Sequence, residues 1–86
     1  MPTISMFLGI IIRMYYDEHN PPHFHAEYNE FKASIDINSL EISEGSLPTK
    51  QAKMVLGWSA LHQEALLANW KLAENGETLF KIKPLE

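Results

Sequence analysis

Three of the four histidines of this chain fall in one short stretch, Asp17-Glu18-His19-Asn20-Pro21-Pro22-His23-Phe24-His25-Ala26-Glu27. His23 and His25 stand two apart in a segment that alternates like a β-strand, so their imidazoles leave from the same face, and Glu27 continues that row. Imidazole nitrogens suit Zn, Ni, Cu and Fe, and one carboxylate completes a two-histidine, one-carboxylate set. The candidate ligands of a divalent transition metal are therefore His19, His23, His25 and Glu27.

Without a metal, the same residues offer proton transfer, because free imidazole titrates at about pH 6.5. Paired with Arg13 or Tyr15, they could cleave RNA by activating the ribose hydroxyl. In that reading His23, His25 and Arg13 are catalytic, His19 is a proton donor, and Glu27 or Asp36 is the carboxylate partner. The plainer reading is structural: histidines beside Pro-Pro order the loop through its backbone, and Asp17 caps a turn.

These residues must be held by a sheet. The run Met6 to Ile12 reads as a buried strand, and Ile10 to Tyr16 is β-branched and aromatic up to Asp17. Pro21-Pro22 cannot lie in a central strand and marks a loop. From His23 to Tyr28, Phe24, Ala26 and Tyr28 face one way and His23, His25 and Glu27 the other. After a turn at Asn29-Glu30, Ala33, Ile35 and Ile37 alternate with Lys32, Ser34 and Asp36. Leu40-Glu41-Ile42 suggests a further short strand. Pairing these rows groups Arg13, Tyr15, Asp17, Ser34 and Asp36 with the histidines on the face opposite Phe24.

The second half is helical. Pro48 suits a first turn, and Met54, Trp58, Leu61, Ala65, Ala68 and Leu72 form an apolar stripe widened by Val55, Leu66 and Trp70. Asn75-Gly76 is the stop signal. The pattern fits one long helix or two joined near His62, itself read as a half-buried imidazole. Thr78 to Ile82 reads as a returning edge strand, able to pair with a second copy across a two-fold axis. The architecture expected is α+β: a small antiparallel sheet of three to five strands packed on one long or two consecutive C-terminal helices, in a single domain over residues 1–86.

Composition narrows the function. With 45% hydrophobic and 21% charged residues, the 86-residue chain has globular values. It contains no cysteine, which removes disulfides, thiol catalysis and thiolate metal sites. No apolar run approaches the roughly 20 residues of a membrane-spanning helix, and no signal peptide is evident. A cytoplasmic location is expected. The net charge of −4, with only 7 Lys and Arg, disfavours a nucleic-acid surface, and the helix has too few cations to read DNA as a regulator's recognition helix.

The strings Met1-Pro2-Thr3-Ile4, Gly9-Ile10-Ile11-Ile12-Arg13-Met14, His19 to Tyr28, Trp58-Ser59-Ala60-Leu61-His62 and Asn69-Trp70 resemble the bacterial family called domain of unknown function DUF4160. Met6 stands where that pattern suggests a polar or basic residue. The resemblance implies a small protein that acts as the interaction component of a two-gene, toxin–antitoxin-like module, its partner encoded by an adjacent gene. It carries over no established active site, but His19, His23 and His25 are its signature positions.

Overall fold

The computed structural model describes residues 2–85. Met1, the first residue of the strings that carry the family resemblance, and Glu86 lie outside the described residues. Five strands and two helices follow in chain order: β1 (Thr3–Phe7), β2 (Ile10–Arg13), β3 (His23–Tyr28), β4 (Phe31–Asp36), β5 (Glu41–Gly45), α1 (Thr49–Leu61) and α2 (Gln63–Glu74). The strands form one antiparallel sheet in the order β1-β2-β3-β4-β5, so the fold is α+β with two consecutive C-terminal helices.

The run Met6 to Ile12 is not one strand. Phe7 pairs with Ile10 across a two-residue turn, with φ of 50° at Leu8 and 80° at Gly9. Positive φ at both central residues is the type I′ geometry whose twist matches a hairpin, and Gly9 adopts it without a Cβ penalty. β3 and β4 follow the alternation of their residues, turning at Asn29, which takes a φ of 51°. The strand suggested at Leu40-Glu41-Ile42 starts one residue later, since Leu40 is in the turn with a φ of 58°, and runs from Glu41 to Gly45, with a bulge that leaves Ser43 unpaired opposite Ser34 and Ile35. Asp36 rather than Asp17 supplies the side-chain turn cap: its Oδ1 accepts the backbone N–H groups of Asn38 and Ser39 at 2.8 and 2.9 Å.

The helices cover one sheet face. Phe7, Ile10, Ile12, Phe24, Ala26, Ala33 and Ile35 are buried there with Val55, Trp58, Leu66, Trp70 and Ala73 from the helices. The Trp58 ring lies 5.3 Å from Phe7 and 6.0 Å from Phe24. The helical stripe departs from the spacing expected. His62 takes a φ of −119°, which ends α1 and starts α2, and this turns the second helix relative to the first. Leu61 is consequently 75% exposed, and Ala68 is also exposed. The buried residues of α2 are Leu66, Asn69, Trp70 and Ala73. The His62 ring is half-buried 5.4 Å from Trp58. α2 stops as Asn75-Gly76 predicts: Gly76 takes a φ of 68°, Gly76 N–H donates to Ala73 O, and Glu77 N–H donates to Leu72 O.

The segment Thr78 to Ile82 is not a strand. Asn69 claims both backbone groups of Phe80, and Ser5 Oγ donates to Ile82 O at 3.0 Å. Those groups are then lost to a ladder, and a single backbone bond, Ile82 N–H to Ile4 O at 2.8 Å, joins the Ser5 hydroxyl in tying the segment to the β1 edge. The two-fold pairing expected through this segment therefore has no strand to use. At the opposite edge of the sheet, β5 carries Glu41 and Glu44, charges that discourage edge-to-edge pairing.

Candidate metal centre

The uncovered sheet face carries the histidines. Arg13 pairs with His25, and His25 with Ser34; one step along, His23 pairs with Asp36. This places His23 and His25 side by side, as the alternation predicts, with ring centroids 5.3 Å apart. The Tyr15 ring stands edge-on to His25 at 4.6 Å. The Trp70 ring, from α2, lies 5.2 Å from His23.

The loop between β2 and β3 then brings a carboxylate that the spacing does not single out. Asp17 takes a φ of 63°, and Tyr16 Oη donates to Glu77 O at 2.8 Å, clamping the loop to the end of α2. Glu18 is thereby turned back over the sheet. Its Oε1 lies 2.7 Å from His25 Nε2 and 3.5 Å from His23 Nε2. One ligand atom from each of Glu18, His23 and His25 lies within 4.8 Å of the others. The hydrogen bond from His25, aided by the charges of the two imidazoles, holds the Glu18 carboxyl below its ordinary value of 4.5, against an opposing effect of burial.

The outer nitrogens fix how the inner ones are used. His23 Nδ1 lies 2.9 Å from Pro21 O, a carbonyl that can only accept. Nδ1 therefore carries a proton, and in the neutral ring Nε2 presents a lone pair towards the Glu18 carboxylate. His25 Nδ1 lies 3.3 Å from Ser34 Oγ, which can donate or accept. Two electron-rich atoms facing each other at 3.5 Å need a positive charge between them, either a proton or a metal ion. Bonds of about 2.0–2.1 Å put tetrahedral donors about 3.4 Å apart, so the Glu18–His23 spacing already fits and the Glu18–His25 hydrogen bond would open slightly.

The other sequence candidates sit elsewhere. Glu27 Oε2 lies 3.2 Å from Arg13 Nε, an ion-pair contact outside hydrogen-bond geometry, and Arg13 Nη1 reaches Thr3 Oγ1 at 3.4 Å. His19 is exposed beside His23 in a shallow cleft with Asn20, Pro21, Ser34 and Asp36. The structure thus gathers His23 and His25 with Glu18, and not with His19 or Glu27. No spacing rule distinguishes Glu18 from Asp17, since the choice depends on the loop path fixed by Tyr16.

A two-layer α+β protein with a histidine–carboxylate cluster on its open sheet face is the class that fold and site define. Residues 9–71 match the model of the family described as "Domain of unknown function (DUF4160)", and the chain belongs to that family. No curated protein and no solved structure matches it. Among the described residues, no helix is long and apolar enough to cross a membrane.

Proposed function

We propose that this protein binds a divalent transition metal through Glu18 Oε1, His23 Nε2 and His25 Nε2. The observation that carries this reading is the convergence of one ligand atom each from Glu18, His23 and His25 within 4.8 Å, with His23 Nδ1 held on the Pro21 carbonyl 2.9 Å away so that Nε2 is the nitrogen turned to the carboxylate. Such outer contacts orient metal-binding imidazoles generally. Three protein donors leave coordination positions for water or substrate, the layout of a hydrolytic centre, and a metal there lowers the pKa of its water. The metal-free ribonuclease alternative is less well supported, because Arg13 is already paired with Glu27. The test is elemental analysis and calorimetry of the purified chain with Zn, Ni, Fe and Mn, beside a His23→Ala/His25→Ala variant. Near-stoichiometric metal lost in the variant is the expected result; no binding of any of these ions rejects the reading.

A second reading follows from the family resemblance: the interaction component of a two-gene, toxin–antitoxin-like module. It is favoured by the sheet face that the helices leave bare, where Met6 is 60% exposed beside the equally exposed Leu8 of the β1–β2 turn. Co-expression with the product of an adjacent gene should give a complex that survives size exclusion. Two separate peaks at micromolar concentration would reject it.

A further inference from the structure

Next to the proposed metal centre, between the β2–β3 loop and α2, lies a cavity of about 210 Å³ lined by Tyr15, Asp17, Glu18, Trp70, Ala73 and Glu74. Its chemistry is one-sided. The side chains of ordinary negative charge are three carboxylates, the remaining polar groups are the Tyr15 phenol and the Trp70 indole, and no lysine or arginine lines it. Trp70 is only 4% exposed, and its Nε1–H is buried without a hydrogen-bond acceptor. This contrasts with Trp58, whose Nε1–H donates to Lys83 O at 2.9 Å. Trp70 thus brings to the cavity wall a donor that is spent on no other group, and because that N–H is itself buried an acceptor reaches it only when the wall gives way.

We propose that this cavity binds a small organic cation, an amine or quaternary ammonium compound bearing a polar oxygen. The ammonium head would meet the carboxylates of Asp17 and Glu74 and the aromatic walls of Tyr15 and Trp70, which attract cations through their ring faces. The volume lies below the range of drug-sized pockets, so the ligand is small. The proposal shares Glu18 with the metal centre but does not depend on a metal being there.

The experiment uses the isotopically labelled 86-residue chain in the presence of a chelator, so that failure of the metal reading leaves it intact. The probe is choline. The control is its neutral carbon isostere, in which a tert-butyl group replaces the trimethylammonium head. The chain has two tryptophans and therefore two indole N–H signals. Choline should shift the Trp70 signal and leave that of Trp58 in place, and it should bind about tenfold more tightly than the isostere. Glu74→Gln, at an exposed position, should weaken choline severalfold while both indole signals keep their free positions. A still Trp70 signal, or an equal response to the isostere, overturns the proposal. So does a response to sodium or potassium ions, which the chelator leaves free, as strong as that to choline, which would make the cavity an inorganic cation site.

Discussion

Glu18 and His25 lie seven residues apart in the chain, yet Glu18 Oε1 and His25 Nε2 are 2.7 Å apart across the mouth of the β2–β3 loop. One contact therefore does two jobs. It holds the loop against the sheet, and it gathers the donors on which the metal reading rests. Glu18→Ala should weaken metal binding by at least about a hundredfold, the upper end of what loss of an outer-shell partner alone costs. His19→Ala and Glu27→Gln should change it little, because neither side chain reaches the cluster. Calorimetric titration with Zn decides this, and a large loss in Glu27→Gln would move the centre to the other side of His25.

The same carboxylate sets an acid limit on stability. Its folded pKa lies below the ordinary 4.5, so the folded chain binds fewer protons there than the unfolded one. The stabilisation is complete above that ordinary value and is lost as pH falls through the lowered one. Glu18→Gln should therefore flatten the dependence of melting temperature on pH below about pH 4.5. An unchanged acid limb in the variant would remove Glu18 as its source.

Asn69 is fully buried and grips Phe80 twice, with Nδ2 donating to its carbonyl and Oδ1 accepting its N–H, each at 3.0 Å. Asn69→Leu keeps similar bulk but strands both backbone groups. It should cost about 2–3 kcal/mol in chemical denaturation and free the Ile82 amide to exchange. Protection of Ile82 equal to that in the parent would contradict this account.

Two glycines of positive φ separate strain from crowding. Gly45 has a φ of 77°, and a Cβ there would stand 2.2 Å from Lys32 O. Gly76 has a φ of 68° with open space around it. Gly76→Ala should cost about 1 kcal/mol, the left-handed penalty alone, and Gly45→Ala distinctly more, since backbone must move as well. Equal melting-temperature losses would show that β5 yields freely.

Much of this architecture is legible residue by residue. The alternation from His23 to Tyr28 returns β3 and its two faces, because a sheet with one buried face imposes that period. The stop at Asn75-Gly76 is equally plain, because the left-handed cap is a local property of glycine. Leu8-Gly9 is hidden inside an apolar run, where hydrophobicity cannot distinguish one strand from a tight hairpin. The break near His62 is legible only as one of two options, because stripe positions on either side still repeat by threes and fours. Glu18 is unreadable for a different reason: its position depends on Tyr16 reaching Glu77, a contact spanning 61 residues.

The strand order β1-β2-β3-β4-β5 also carries a kinetic consequence. Each neighbour in the sheet is a neighbour in sequence, so every ladder closes over a local connection, the longest being the β2–β3 loop, at modest entropic cost. Ser5 and Ile82, by contrast, meet across 77 residues. Pulse-labelled amide exchange during refolding should protect β3 and β4 before Ile82, and simultaneous protection would refute that sequence of events. During synthesis the ribosome releases all five strands before either helix. The meander can thus form as a half-built shell with one wet face, which Trp58 and Leu66 later close, and the two ends of the chain are joined last.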